Sequence, residues 1–275
     1  MTSLSDGYVD LPFAHFVTNV PLEEAIAVQQ EALRNADHFR MDINAYLVRS
    51  PRHAPILIDT GLGAGMFPTC GRLPASLAGA GVTPDEIETI LLTHLHGDHC
   101  RGLIDVAGKA IFPTAEVVVH RAESAYWLEG VVGAGQAPAD PAGVDMAKQA
   151  MAAYEGRIRW IDDDGAEVAP GITVVPVPGH TPGQTGFQVG SGPSSVLVWG
   201  DVLNLPFLQS ARPEACFVTD VDGPLSVATR RTVMDRAAEQ GFLVAGMHIE
   251  FPGLAHVKRE GQGYRLVPAQ WASRQ

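Results

Sequence analysis

The stretch Ile90-Leu91-Leu92-Thr93-His94-Leu95-His96-Gly97-Asp98-His99 is the most informative part of this 275-residue chain. It is an apolar run, typical of a buried strand, that ends in three histidines and an aspartate. In extended backbone, side chains two residues apart point to the same side, so His94 and His96 can reach one metal ion together. Gly97 permits a sharp turn, after which Asp98 and His99 can face a second ion. Imidazole and carboxylate ligands suit zinc and related divalent metals, so the stretch predicts a metal site.

Composition limits the class of protein. Hydrophobic residues make up 46% of the chain, which supports a sizeable core, and the formal net charge is −12. An acidic chain is a poor nucleic-acid binder because phosphate neutralisation needs clustered Lys and Arg, so we expect a small-molecule substrate. The sequence contains no apolar run of about 18 residues, so no membrane span is expected. Residues 1–7 lack the basic and apolar regions of a secretory signal, so we expect a cytoplasmic protein.

The cysteines do not indicate a disulfide framework. There are three of them, Cys70, Cys100 and Cys216, and an odd, sparse set argues against paired bridges. Cys100 directly follows His99, so it is an alternative metal ligand. The interpretation that we favour for it is a small buried apolar residue.

Hydrophobic patterning predicts two comparable blocks of strands and helices. The predicted strands are residues 43–48, 55–59, 89–93, 116–120, 172–177, 185–189, 195–199 and 242–246, with a last hairpin over 255–268. The predicted helices are 72–80, one starting at Thr83-Pro84-Asp85-Glu86, a short one at 126–127, 143–155 and 225–240. This order predicts an α/β fold of two packed sheets with helices on the outer faces. We expect one domain over residues 1–275, with an N-terminal extension up to about residue 40.

Three more candidate ligands follow predicted strands. His180 lies in the loop Pro178-Gly179-His180-Thr181-Pro182-Gly183, Asp201 follows the strand at 195–199, and His248 follows the strand at 242–246. Taken alone, each of the three is an ordinary turn, cap or surface residue. Together they bring two imidazoles and a carboxylate to strand ends, where the histidine stretch also lies.

The order of these motifs resembles the metallo-β-lactamase superfamily over about residues 40–260. The resemblance implies an αββα sandwich of two mixed sheets flanked by helices, with a metal site at one edge of the sheets. It implies two divalent ions, with Zn²⁺ expected and Mn²⁺, Fe²⁺ or Co²⁺ as alternatives. By the resemblance, the first ion is held by His94, His96 and His180, the second by Asp98, His99 and His248, and Asp201 bridges the two.

Further segments are similar to the methyl parathion hydrolase-like group. They are Asp6–Pro12, Gly71–Leu73 and Phe251–His256. Members of that group hydrolyse lactones, aryl esters or phosphotriesters and are commonly dimers, so the resemblance implies a homodimer. This chain departs from the group by having Asn204 where a His is common after the bridging Asp, and Ala255 where Gly is usual.

The expected function is hydrolysis of a lactone, an aryl ester or a phosphotriester by a metal-bridging hydroxide. Asp98 and Asp201 are the expected catalytic residues, with Asp98 orienting the hydroxide and moving a proton to the leaving group. Alternatives within the superfamily are a mononuclear iron dioxygenase acting on sulfur compounds and a glutathione thioester hydrolase. Nuclease and β-lactamase activities are disfavoured, the nuclease by the acidic charge.

Other residues are candidates for the surroundings of the site. Asp59 either hydrogen-bonds a ligand His or caps a strand end, and His256 is expected to support the site from behind the ligands. Trp127 lies in a segment that matches the pocket-lining helix of the parathion hydrolase-like group. The candidate pocket walls are Phe67, Tyr126, Trp127, Phe207 and Asn204.

Overall fold

The computed structural model describes residues 1–162 and 164–270, and its architecture confirms the expected αββα sandwich. Among the described residues the strands are β1 (Thr2–Pro12), β2 (Val17–Thr18), β3 (His38–Ser50), β4 (His53–Ile58), β5 (Thr89–Leu91), β6 (Glu116–His120), β7 (Ile158–Ile161), β8 (Glu167–Ala169), β9 (Ile172–Pro176), β10 (Thr185–Val189), β11 (Val196–Val198), β12 (Cys216–Phe217), β13 (Leu243–Ala245), β14 (Leu254–Glu260) and β15 (Gly263–Pro268). The α-helices are α1 (Leu22–Glu31), α2 (Leu73–Gly79), α3 (Gly97–Cys100), α4 (Arg121–Glu123), α5 (Pro141–Ala152), α6 (Pro206–Ala211) and α7 (Gly223–Gln240).

Two mixed sheets form the centre of the molecule. The first has the strand order β1-β3-β4-β5-β6-β7, and the second has the order β15-β14-β13-β11-β10-β9-β8. Strands β4 to β7 are parallel to one another, and β11 is parallel to β13. The remaining pairs are antiparallel, including the small separate pair of β2 and β12. None of the described helices is long and apolar enough to cross a membrane.

The alternation of side chains along the strands produces the layers. In β4, Ile56 and Ile58 belong to the core between the sheets, whereas Leu57 belongs to the core under α2 and α5. In the second sheet, Val198 faces the first sheet and Leu197 packs with α7. Successive side chains of a strand point to opposite faces, so strands that are apolar throughout bury both faces under other layers.

The N-terminal segment, to which the sequence analysis assigned no secondary structure, contains an edge strand of the first sheet. Strand β1 pairs with β3 from Thr2 opposite Leu47 to Pro12 opposite His38. The register shifts between Ser5 and Gly7, where Gly7 has φ +130° and a Cβ would lie 2.0 Å from a backbone oxygen of the neighbouring loop. This position therefore requires glycine.

The helix predicted to start at Thr83 is wrong in extent. The expected capping box is present, since the Thr83 N–H donates to Glu86 Oε2 at 2.7 Å, but only one 3₁₀ turn, Pro84–Glu86, follows. Ile87 is then extended and fully buried, and β5 begins at Thr89. Because β5 begins at Thr89, too few residues lie between the capping box and the strand to form an α-helix.

Core packing gives a testable expectation for stability. Leu57→Ala, at a fully buried position, should lower the free energy of unfolding by about 2–5 kcal/mol because it removes packed methyl groups and leaves a cavity. Leu33→Ala is the matched control, since Leu33 is 93% exposed. Urea denaturation measures both variants, and equal effects would contradict the assignment of Leu57 to the core.

Candidate metal centre

The predicted ligands meet at one edge of the two sheets. His94, His96, Asp98 and His99 follow β5, His180 follows β9, Asp201 follows β11 and His248 follows β13. The structure therefore brings all seven side chains together. Asp98 is the more solvent-exposed of the two carboxylates, with 20% of its side chain exposed against 3% for Asp201.

Three imidazoles form the first cluster. His96 Nδ1 lies 2.9 Å from His94 Nε2 and 2.9 Å from His180 Nε2. His96 is extended, with φ −62° and ψ 151°, so the expected common direction of His94 and His96 is realised. These three residues form one of the groups whose ligand atoms can share an ion.

A second group lies beside it. Asp98 Oδ2 is 3.6 Å from His99 Nε2 and 3.4 Å from His248 Nε2. Asp201 lies between the groups, with its oxygens 3.2 Å from His99 Nε2, 3.3 Å from His180 Nε2 and 3.0 Å from His248 Nε2. This central position is the one that a bridging carboxylate needs.

Gly97 serves this loop for a reason other than the expected sharp turn. It begins α3 in ordinary helical backbone, and a Cβ on it would lie 2.8 Å from Met146 Sδ of α5. The absence of a side chain here leaves room for the end of the Met146 side chain of α5. Cys100, at the end of α3, is fully buried, burial raises the pKa of its thiol, and its Sγ donates to Leu95 O.

The hydrogen bonds behind the ligands fit divalent cations. The outward Nδ1 of His99 contacts Asp59 Oδ2 at 2.7 Å, that of His180 contacts Asp220 Oδ1 at 2.8 Å, and that of His248 contacts the Asp42 carbonyl oxygen at 2.8 Å. In the tautomer whose Nδ1–H donates to these acceptors, the Nε2 lone pair of each ring faces the cluster. Lone pairs aimed at one another repel unless a cation lies between them.

Two buried atoms in the cluster also indicate a site for a cation. His99 Nε2 and Asp201 Oδ1 are buried and lie 3.2 Å apart, but neither has a partner with hydrogen-bond geometry among the described residues. Burial, and then the neighbouring His180, lower the pKa of His96 to about 3, so its lone pair is free at neutral pH. Burial alone would raise the pKa of Asp201, but His248 and His99 hold it well below its usual range. The donor set fits two divalent ions.

Asp59 hydrogen-bonds a ligand, the first of the two roles considered for it. It is fully buried with φ +57°, and it accepts hydrogen bonds from the backbone N–H and the hydroxyl of Thr93, each at 2.7 Å. Thr93 precedes His94 directly, so these contacts fix the start of the histidine loop as well as the His99 ring.

Sequence reasoning missed several supporting residues. They are Asp42, Thr93, Glu123, Asp220 and Arg230, and all of them except Thr93 lie far along the chain from the ligands or ligand loops that they contact. Arg230 is fully buried, donates to the Val202 carbonyl just after Asp201, and lies 3.9 Å from Asp220 Oδ2. Nothing in the sequence around Arg230 distinguishes it from the other arginines of α7.

An apolar cavity of about 390 Å³ opens at His96 and Asp98. Three of the expected wall residues, Phe67, Tyr126 and Trp127, line it. The Trp127 ring lies 4.9 Å from the His96 ring. Aliphatic side chains of β1, β3 and α5 complete the walls: Val9, Leu11, Met41, Ile43 and Met146.

Three other expected site residues lie elsewhere. Asn204 is buried away from this cavity and donates from Nδ2 to Asp201 Oδ2 at 2.7 Å, so it orients the Asp201 carboxylate. Phe207 lines a separate, more polar cavity of about 500 Å³, where the Arg34 guanidinium lies 4.4 Å from its ring. His256 is exposed on β14, because β14 runs antiparallel to β13 and leads away from the strand end that carries His248.

Asp59→Asn tests the support of the ligand rings. An amide at this position cannot hold the His99 ring proton as a carboxylate does, so the zinc affinity of the protein should fall about 10–100-fold. Chelator competition measures the affinity, and Asp145→Asn, at an exposed position of α5, is the control. An unchanged zinc affinity in Asp59→Asn would contradict this role.

Comparisons with known proteins agree with this geometry. A sequence model of the metallo-beta-lactamase superfamily matches residues 39–229. The N-acyl homoserine lactonase AiiB of Agrobacterium fabrum (strain C58 / ATCC 33970) is 27% identical over 174 residues, covering 54% of this chain and 57% of AiiB. The uncharacterized protein YobT of Bacillus subtilis (strain 168) is 27% identical over 164 residues, covering 59% of this chain and 63% of YobT. The matches thus span less than two thirds of each curated relative.

Solved structures share the whole fold. AidC, a dizinc quorum-quenching lactonase in complex with a product, superimposes with a TM-score of 0.91 at 24% identity, covering 98% of this chain and 94% of AidC. The hydrolase AbOPH of the beta lactamase superfamily gives 0.85 at 28% identity, covering 98% and 94%. The superfamily match over most of the chain, together with this fold, identifies the protein as a member of the metallo-β-lactamase superfamily.

Proposed function

We propose that this protein is a binuclear metal-dependent hydrolase that opens lactones, or cleaves related esters, whose acyl part is apolar. The observation that carries the proposal is the seven-ligand His/Asp centre, which meets an apolar cavity at His96 and Asp98. The centre supplies hydrolytic chemistry, and the cavity favours an apolar group next to it.

The relatives support this choice of substrate class. AiiB is an N-acyl homoserine lactonase, and AidC is a dizinc lactonase. AidC, at 24% identity, contributes the fold alone to the argument. The case for a lactone therefore rests on AiiB and on the shape and apolar character of the cavity in this chain.

Two divalent ions at such a centre lower the pKa of bound water and polarise the substrate carbonyl. The protein holds the ligands in place for this chemistry. Asp201 spans the two groups of imidazoles, and Asn204 donates to its Oδ2 and fixes its rotation. Zn²⁺ is the proposed metal, since imidazole and carboxylate ligands suit it, although Mn²⁺, Fe²⁺ and Co²⁺ suit them as well.

Asp98 is the proposed proton carrier. It combines contact with the imidazoles of His99 and His248 with a position on the cavity wall. Hydrolysis of a lactone adds water across the ring C–O bond, so the attacking water loses a proton and the leaving alkoxide gains one. A carboxylate between the ligands and the substrate can accept the first proton and deliver the second.

The cavity wall is the proposed binding surface for the acyl group. Trp127 and Tyr126, which are almost fully buried, and Met41 and Ile43 of β3 all line the cavity. Burial of each methylene contributes about 0.8 kcal/mol, so a longer acyl chain should be preferred until the cavity is full.

Aryl esters and phosphotriesters are the second candidate class. The aromatic side chains of Phe67, Tyr126 and Trp127 favour planar substituents, and the same centre can act on phosphorus.

A mononuclear iron dioxygenase acting on sulfur compounds needs one ion only, and the seven-ligand set favours two. Hydrolysis of a glutathione thioester is a further alternative, and assays with different substrates can test it.

The homodimer and the cytoplasmic location stay predictions.

Loss of the metal centre should remove activity. Chelator dialysis should silence lactone hydrolysis, and Zn²⁺, Mn²⁺ or Co²⁺ should restore it. His96→Ala and Asp201→Ala should each reduce the bound metal below two ions per chain and abolish hydrolysis. The assay measures metal content alongside turnover of γ-lactones, aryl esters, a phosphotriester and a glutathione thioester. Full activity in either variant would refute the centre, and one bound iron with sulfur-dependent oxygen uptake would favour the dioxygenase.

The acyl preference has its own test. Across a series of N-acyl homoserine lactones, kcat/KM should rise about fourfold per added methylene, from about 0.8 kcal/mol each, until the cavity is filled. Trp127→Ala enlarges the cavity, so the optimum should move to longer chains when the assay contains enough zinc to keep both ions bound. Leu128→Ala, at the neighbouring partly buried position, is the control and should leave the optimum unchanged. A kcat/KM that is independent of chain length would contradict an acyl-binding cavity.

A further inference from the structure

Glu123 is a fully buried carboxylate that lies outside the seven-ligand set. It ends α4, just after β6. Among the described residues no Lys, Arg or His forms a salt bridge with it. A buried carboxylate without a cation must be stabilised by hydrogen bonds, so its donors reveal what it does.

Its donors come from both ligand loops of the first imidazole cluster. Glu123 Oε2 accepts from the Leu95 backbone N–H at 2.9 Å and from Trp127 Nε1 at 2.9 Å. Glu123 Oε1 accepts from the Gly183 backbone N–H at 2.8 Å. Leu95 lies between His94 and His96, and Gly183 follows His180 by three residues.

We propose that Glu123 is a positioning residue that ties the His94–His96 loop to the His180 loop, and both to the Trp127 wall of the cavity. It thereby sets the spacing of the three imidazoles that hold one of the two ions. The proposal rests on the two-ion centre of the proposed function, and it is independent of which substrate is hydrolysed.

Packing around Gly183 supports the same role. A Cβ on Gly183 would lie 2.8 Å from the Glu123 backbone nitrogen and 3.0 Å from its Cγ. The absence of a side chain therefore permits the close approach that the 2.8 Å hydrogen bond requires. A methyl group at position 183 should push the His180 loop away from Glu123 without changing any ligand or charge.

The other ion depends on different groups. His99 is held by Asp59, and His248 by the Asp42 carbonyl. Neither contact involves Glu123. A change at Glu123 should therefore weaken one ion selectively, whereas general destabilisation of the fold should weaken both.

Glu123→Gln is the sharpest change. The amide keeps the size of the side chain but replaces one acceptor oxygen by an NH₂ group. This donor group then faces a backbone or indole N–H, which is also a donor, so the two cannot form a hydrogen bond. At least one of the three hydrogen bonds is then lost, and the charge assistance of the others disappears.

The selectivity is measured in proteins that retain one half of the centre. His99→Ala keeps the His94, His96 and His180 group, and His96→Ala keeps the Asp98, His99 and His248 group. Zinc affinity is measured by chelator competition in each background, with and without Glu123→Gln. In the His99→Ala background Glu123→Gln should weaken zinc about 10–100-fold. In the His96→Ala background it should leave the affinity unchanged.

If the His99→Ala or His96→Ala protein binds zinc too weakly to measure, the effect of Glu123→Gln is measured in the protein with all seven ligands. Glu123→Gln should then weaken one of the two ions and leave the other at its wild-type affinity. Glu129→Gln, at an exposed position six residues along the chain, is the control for charge.

Gly183→Ala provides a variant that keeps the carboxylate, should Glu123→Gln fail to fold by circular dichroism. It should also weaken the His94, His96 and His180 group selectively. Gly79→Ala is its control, since a Cβ on Gly79 meets nothing within 4 Å.

Equal weakening of both groups, or no change in either, would overturn the positioning role of Glu123. So would a Gly183→Ala variant that behaves like Gly79→Ala. Wild-type protein that binds no zinc would instead refute the proposed function, which separates the two failures.

Discussion

The structure depends on one constraint: five imidazoles and two carboxylates must share a buried space with their lone pairs facing inward. Each neutral ring presents a lone pair from one nitrogen while the other keeps the proton, and an acceptor behind the ring favours that tautomer. Asp59, Asp220 and the Asp42 carbonyl provide these acceptors for His99, His180 and His248. The fold around the centre is in large part the means of bringing such acceptors to the right places.

Buried carboxyl groups hold the loops in place by accepting hydrogen bonds from backbone N–H groups. Asp6 of β1 accepts from Leu62, Gly63 and Leu73, and so fastens the loop after β4 to the start of α2. Asp59 does the same for the start of the histidine loop through Thr93. Glu123 has the equivalent contacts with Leu95 and Gly183. These loops lie at the sheet edge without strand partners of their own, and the carboxyl oxygens accept the backbone hydrogen bonds that a strand ladder would otherwise provide.

The fold and the ligand set were open to prediction because their signals are local. The strand at 116–120 coincides with β6, and the helices at 143–155 and 225–240 overlap α5 and α7, since apolar periodicity is read within a single element. Predictions failed where a distant element decides the outcome. The capping box at Thr83 is followed by only one 3₁₀ turn because β5 begins six residues after Thr83, and His256 lies on a strand that leads away from the site. Asn204 contacts Asp201 because the loop after β11 folds back on itself.

The sequence by itself determined the type of chemistry. Three histidines and an aspartate within six residues after an apolar strand, with His180, Asp201 and His248 after later strands, identify a metal centre at strand ends. Only the tertiary structure decided how that centre is held and what it faces. Glu123 is 28 residues from Leu95 and 60 from Gly183, and Asp220 is 40 from His180. Such contacts have no sequence period, because they arise when separate loops pack at one edge of two sheets.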